Sequence, residues 1–138
     1  MKAYISVSYS RRKHLDKELN AIADVLNKLA IEPFVFIDNY NFDLTQEQQM
    51  MQQAMSDIEN CDLLIAETSN KGIGIGVEVG YAKAKNKPII YVRQNNAAHS
   101  TTVSGISDFK IVYHDTDDLQ KQLTYAIQRI MTHTKQKF

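Results

Sequence analysis

Two apolar, β-branched runs separated by a glycine-rich crossover decide most of what this chain can become. Leu63–Thr68 and Ile89–Val92 each read as a buried strand, with about twenty residues between them. That connection is too long for a hairpin and fits a helical crossover between parallel strands. Ser69–Gly76 reads as a polar, glycine-rich turn, with Glu78 expected in the first turn of the helix that follows. A parallel sheet opens its ligand crevice at the carboxyl ends of its strands, where Gly72, Gly74, Gly76 and Glu78 are expected.

The flanking sequence continues the alternation. Lys2–Ser8 is β-branched enough for a first strand, and Leu15, Leu19, Ile22, Leu26 and Leu29 predict a helix from Arg11 to Leu29. Pro33 precedes a second short strand, Phe34–Ile37. Thr45 and Gln48 form a capping box for a helix that turns Met51, Met55 and Ile58 to the core, with Ala54 nearby. Residues 94–108 are rich in Asn, Ser, Thr and Gly and predict a loop with at most one helical turn. Lys110–Tyr113 reads as a fifth strand, and Leu119, Leu123, Ile127 and Ile130 mark a last amphipathic helix. The order β-α-β-α-β-α-β-loop-β-α predicts an α/β three-layer sandwich around a mainly parallel five-stranded sheet. At 138 residues the chain is one domain, 1–138.

Sixteen basic and sixteen acidic residues give zero net charge, which argues against a nucleic-acid or membrane-surface partner. No apolar run approaches the length of a bilayer span, and Met1–Tyr9 lacks the apolar core of a signal peptide. A cytoplasmic location is expected. Cys61 is the single cysteine, so no internal disulfide or cysteine cage can form, and it reads as a small core residue. His14, His99, His114 and His133 show no ligand spacing, so neither a metal nor a cofactor is expected. His99, beside Ser100, is a candidate to touch a phosphate.

The glycine run departs from both common phosphate motifs. It follows the third strand rather than the first, with the wrong spacing for a dinucleotide fingerprint, and no Gly-Lys-Ser/Thr closes it as a P-loop. Glu78 near a helix start is expected to be ionised. Such a carboxylate on a crevice floor serves as a nucleophile or as a partner for an oxocarbenium-like centre; alternatively it merely suits a helix N-terminus. Gly80 inside a helix costs about 1 kcal/mol relative to alanine, so it predicts close packing against a neighbouring backbone. Arg11 and Arg12 oppose the dipole of the helix they begin, and are either solvated or offset by a bound anion. Tyr9, Tyr40 and Phe42 either stack on a ring or close the edge of the core.

The segment from Cys61 to Thr68 followed by Ile73–Ala82 (IGIGVEVGYA) resembles the signature of the nucleoside 2-deoxyribosyltransferase superfamily. Within it, the chain looks most similar to the 2′-deoxynucleoside 5′-phosphate N-hydrolases. The resemblance is specific in the central segment and loose elsewhere. It implies a flavodoxin-like sheet, a small-molecule nucleoside or nucleotide as substrate, and a homodimer or larger homo-oligomer with shared active sites. It also implies that Glu78 attacks C1′ of a deoxyribose and expels the base, and that water or another base resolves the ester. By the same resemblance Ser8, Tyr9, Ser10, Arg11 and Arg12 grip the nucleotide. Gly74 offers a backbone contact, and Ser100, several residues ahead of Gly105, reaches the phosphate of the partner subunit's ligand.

Two positions depart from that pattern. Gly72 stands where the hydrolases carry a phosphate-binding serine, with Ser69 or Lys71 as substitutes. Ala54 stands where the family has an aspartate near the nucleophile, and Asp57, on a neighbouring part of the same helical face, is the expected replacement. Asp38 and Asp43 are further candidates. A looser likeness to TIR-type NAD glycohydrolases rests on the opening YISVSYS, and the glycine run speaks against it. A binding module without turnover is the non-catalytic alternative.

Overall fold

In the computed structural model, which describes residues 1–136, five strands form one sheet and all neighbouring pairs are parallel. They are β1 (Lys2–Ser6), β2 (Glu32–Val35), β3 (Leu63–Glu67), β4 (Ile89–Gln94) and β5 (Phe109–Tyr113), in the order β2-β1-β3-β4-β5. The sheet is therefore wholly parallel, and its order is the flavodoxin-like one. The winding reverses between β1 and β3, so a crevice opens beyond their carboxyl ends.

Helices α1 (Asp16–Lys28) and α6 (Thr116–Gln136) cover one face of the sheet. The other carries the short α2 (Phe36–Asn39) with α3 (Glu47–Glu59), α4 (Ile73–Ala84) and α5 (Thr101–Gly105). Strand residues alternate between the two cores. Ala3, Ile5, Ile65, Ile90 and Val92 pack under α1 and α6, while Tyr4, Leu64, Ala66, Ile89 and Tyr91 face the opposite helices. With both faces covered, the central strands need apolar residues on both sides, and so they read as unbroken apolar runs.

Several boundaries differ from the sequence expectation for local reasons. The first helix is split: Tyr9–His14 forms a 3-10 turn, and α1 begins only at Asp16. Four basic residues thus stay out of the α-helical first turn, where Asp16 and Glu18 suit the dipole instead. Strand β2 includes Pro33 and stops at Val35; as an edge strand it tolerates the missing donor. The expected capping box does not form. The Thr45 amide and hydroxyl both donate to Asp43 Oδ1, and α3 starts two residues later without a side-chain cap. Its buried positions are Ala54 and Ile58, whereas Met51 and Met55 are only half-buried. The loop after β4 contains the single-turn α5, whose cap is Ser100, accepting from the Val103 amide at 3.4 Å.

The largest revision concerns the glycines. Gly74 and Gly76 lie inside α4 rather than in a turn, no glycine has a positive φ, and Gly72 is the N-cap in an extended conformation. Glycine is a poor helix former. Here Ile75, Val79 and Ala82 supply the buried stripe that fixes the helix. Gly80 is exposed, and a Cβ built on it meets nothing within 4 Å, so it is not packed against another backbone among the described residues.

Candidate active site

Because α4 begins at Ile73, Glu78 lies in its second turn and gains less from the helix dipole than a first-turn residue would. Its carboxylate is instead placed by the first strand. Tyr4 and Ser6 sit two residues apart on β1 and so point to the same side of the sheet. The Tyr4 hydroxyl donates to Glu78 Oε2, and the Ser6 hydroxyl donates to Oε1 at 3.1 Å. Each carboxylate oxygen therefore has one fixed donor. Gly74, one helical turn before Glu78, leaves the approach open: an added Cβ there would stand 3.9 Å from Oε1.

The electrostatics differ from the expectation of an easily ionised group. Burial pushes the Glu78 carboxyl above its ordinary value, and the bonds from Tyr4 and Ser6 pull it part of the way back. Tyr4, which is fully buried, is pushed far up by burial and then by the Glu78 charge, so it remains a proton donor at any ordinary pH. The Asp57 charge adds a smaller rise to Tyr4. Asp57 itself is half-buried on α3; Gln53 donates to its Oδ1 at 3.0 Å, its buried Oδ2 makes no hydrogen bond among the described residues, and Asp57 lies near enough to Tyr40 to raise that phenol beyond the effect of burial. Asp38 and Asp43 are directed elsewhere. Asp38 is held by Arg12, and Asp43 is an exposed residue closing the turn with Thr45, which lowers its carboxyl.

The turn after β1 lies at the mouth of the same crevice. Ser8 is buried beside the start of α4: a Cβ on Gly72 would stand 3.8 Å from the Ser8 Cα. The Ser8 and Ser10 hydroxyls are 3.3 Å apart. Tyr9 is 82% exposed and stacks on no ring among the described residues. Arg12 is already engaged, with two bonds to Asp38 at 2.8 and 2.7 Å and one to Asp16 at 2.5 Å. Arg11 is exposed and donates to Asn70 Oδ1 at 3.3 Å. Ser69 belongs to a different network: its amide donates to Glu67 Oε1 and its hydroxyl accepts from the Gln94 amide.

A cavity of about 450 Å³ opens on the flank of α4 that faces α5. Lys71, Gly72, Gly76, His99 and Ser100 are among its lining, together with Thr101 and Thr102. Glu78 is not among the lining residues. The structure thus brings Glu78, Gly74, Ser8 and Gly72 together around the first turns of α4, and places Ser100 in a cavity that Glu78 does not line. Tyr40 and Phe42 join Tyr4, Phe34 and Phe36 in an aromatic cluster, with Tyr40 and Phe42 centroids 5.5 Å apart. Cys61 is a buried core residue whose thiol is pushed up to about 11 by burial.

Tyr4 and Ser6 were passed over in the sequence, although a signal was there. Lys2–Ser8 puts polar residues at 2, 4, 6 and 8 on one face of the strand, with Ala3, Ile5 and Val7 on the other. In a sheet buried on both sides, hydroxyls in register at the carboxyl end need a polar partner.

A flavodoxin-like sheet with a half-buried glutamate gripped by two hydroxyls at its switch point defines a class of small-ligand α/β proteins. The profile of the nucleoside 2-deoxyribosyltransferase family matches residues 4–130, and the chain belongs to that family. A Syntrophotalea carbinolica protein provisionally named 2′-deoxynucleoside 5′-phosphate N-hydrolase 1 is 52% identical over 33 residues, 24% of this chain and 23% of that protein. A Thermofilum pendens protein of the same provisional name is 32% identical over 71 residues, covering 48% of this chain and 50% of that protein. The chain thus spans half or less of the length of the curated relatives it matches. Among solved structures, the 2-deoxyribosyltransferase of Bacillus psychrosaccharolyticus superposes with a TM-score of 0.68 at 15% identity, over 87% of this chain and 90% of the other. That likeness establishes the shared fold. No helix among the described residues is long and apolar enough to cross a membrane.

Proposed function

We infer that this chain is an N-glycosidase-type enzyme acting on a 2′-deoxynucleoside or its 5′-monophosphate. One observation carries the reading: Glu78 is held at the crevice by Tyr4 and Ser6, with an open approach over Gly74. A Glu78 oxygen forms a bond to C1′ as the C1′–N bond breaks, and the base leaves with the bonding pair and takes up a proton. Water, or a second base, then attacks C1′ and releases the carboxylate. Asp57 is the proposed second carboxylate of the site, relaying a proton from solvent to the departing base; its Oδ2 makes no hydrogen bond among the described residues. The provisional names of the curated relatives favour the 5′-monophosphate as substrate.

A homodimer belongs to this reading. Ser100 lines a cavity to which Glu78 does not contribute, and the face of α4 carrying Ile73, Gly76, Val77 and Gly80 is exposed in the single subunit. A second copy on that face would carry Ser100 toward its partner's ligand.

Incubation with a panel of deoxynucleosides and their monophosphates, followed by chromatography for free base, tests the activity. Glu78→Gln is expected to lower turnover by about 10³-fold or more. Full activity in that variant would remove Glu78 as nucleophile. A binding-only relative is the second reading, favoured by Ala54, a buried methyl where the family carries an aspartate. Ligand-induced thermal stabilisation without base release, even at high protein concentration, would decide for it.

A further inference from the structure

The second carboxylate of the site has a phenol of its own. Tyr40 follows directly on α2, a single turn in which the Asn39 side chain donates to the Val35 carbonyl at 2.7 Å. Its ring is wedged among Phe36, Phe42 and Phe34, with centroids 5.0, 5.5 and 6.4 Å away. Phe36 in turn stacks on Tyr4 at 6.2 Å, so one aromatic wall carries both phenols. The Tyr4 end of that wall holds Glu78. At the other end, Tyr40 packs against the core cluster that contains Ala54 and Ile58, and Asp57 shares their side of α3 at helical spacing.

Around Asp57 the donors can be counted. Gln53 gives a side-chain hydrogen to Oδ1 at 3.0 Å, and the buried Oδ2 makes no hydrogen bond among the described residues. A buried carboxylate oxygen without a donor is costly. Burial and then the Asp57 carboxylate push the Tyr40 phenol up, and Gln53 pulls it part of the way back, so the hydroxyl lies beside both side chains. A phenol has one proton, a carboxylate offers only acceptors, and Oδ1 is already served; Oδ2 is the acceptor left for Tyr40. We propose, resting on the glycosidase reading of Glu78 with Asp57 as its second carboxylate, that Tyr40 is the residue that positions Asp57 toward the departing base. The fixed ring and Gln53 hold the carboxyl from two sides. Its hydrogen passes to a base nitrogen as the C1′–N bonding pair moves onto the base, and water returns a proton to Asp57. Glu78 forms its bond to C1′ in either case, so the demand on Tyr40 depends on the leaving base.

The test compares two leaving groups on the same 2-deoxyribosyl unit. A 7-methylated purine leaves as a neutral molecule and needs no proton; where pyrimidines are the substrate, an electron-poor 5-fluoropyrimidine takes its place. In Tyr40→Phe the kcat for the ordinary substrate is expected to fall about tenfold, with its KM and the activated substrate nearly unchanged. Asp57→Asn should show the same pattern more strongly, and the double variant should be no slower than Asp57→Asn alone. A variant that merely loosens the fold slows both substrates alike. That result, no loss on the ordinary substrate, or additive losses would overturn the proposal. A second arm needs no turnover. Carbon-13 ring signals of Tyr40 should titrate above the ordinary tyrosine value in the parent protein and closer to it in Asp57→Asn. An unchanged titration would refute the contact. A parent protein that releases neither base would lose the glycosidase reading, and the Tyr40 titration would still decide whether the phenol holds Asp57.

Discussion

At the scale of single residues, the decisive balance is the one acting on Glu78. Burial raises its carboxyl, and two hydroxyl donors lower it again. In its proposed role as nucleophile Glu78 must be ionised, so activity is expected to fall as pH drops through a value above that of a free glutamate. Tyr4→Phe removes the donor on Oε2 and leaves burial intact. The carboxyl then rises further, and the acid limb of kcat/KM moves to higher pH. A hydrogen bond to a charged group is worth about 1.5–3 kcal/mol, so a drop of roughly ten- to a hundredfold in kcat/KM near neutrality is expected. Ser6→Ala should shift the limb in the same direction. A pH–rate profile for each variant checks this, and limbs that coincide with the parent would mean that the phenol does not tune the carboxylate. The placement of Glu78 at the crevice was legible because a rare local pattern surrounds it, and its role as nucleophile is a proposal. Its two partners lie 74 and 72 positions away along the chain, and only the fold brings them to it. Ser69, offered as a phosphate contact, is partly engaged by the fold: its amide donates to Glu67 and its hydroxyl accepts from the Gln94 amide, which leaves the hydroxyl proton to donate.

At the scale of elements, α4 shows how packing overrides propensity. Three glycines fall within the twelve residues of Ile73–Ala84. Each costs about 1 kcal/mol relative to alanine, and so the run IGIG reads as a turn. Ile75, Val79 and Ala82 are buried at helical spacing, and that stripe decides in favour of helix. The reading failed at the start of the helix and held for its existence and direction. Gly80 lies on the outer face, where an added methyl meets nothing within 4 Å. Within the subunit, Gly80→Ala is therefore expected to stabilise by about 0.5–1 kcal/mol. If a second copy packs on this face, the same methyl keeps the two backbones apart. Sedimentation at several concentrations is expected to show weaker association, while chemical denaturation of the dilute protein shows a gain. Unchanged association would place the dimer contact elsewhere.

At the scale of the whole molecule, the count and type of layers were legible and the order of strands was not. Alternating elements impose a parallel sheet. The runs that choose neighbours, such as Leu63–Glu67 and Ile89–Gln94, are too alike in their apolar residues to specify which lies beside β1. The resulting order leaves a carboxylate on each side of the carboxyl edge. Glu78 lies on the side of α3 and α4, and Glu67, 0% exposed, lies on the side of Tyr113. Glu67 accepts from the Ser69 amide at 2.6 Å and from the Tyr113 hydroxyl at 2.7 Å, yet burial still raises its carboxyl, and the nearby Glu18 charge adds to the rise. Between the ordinary carboxyl value and the raised folded one, the folded state binds more protons than the unfolded chain. Stability from this group is therefore fully present below the ordinary value and lost as pH rises through the folded one. Glu67→Gln keeps the shape and removes the titration. Denaturant unfolding at about pH 4 and about pH 8 should show the variant gaining on the parent by on the order of 1 kcal/mol at the higher pH. Parallel stability differences at both pH values would mean that Tyr113 and Ser69 compensate the burial of the charge in full. A variant that loses ground as pH rises would mean that those two bonds outweigh the burial and that the ionised carboxylate is the form the sheet requires.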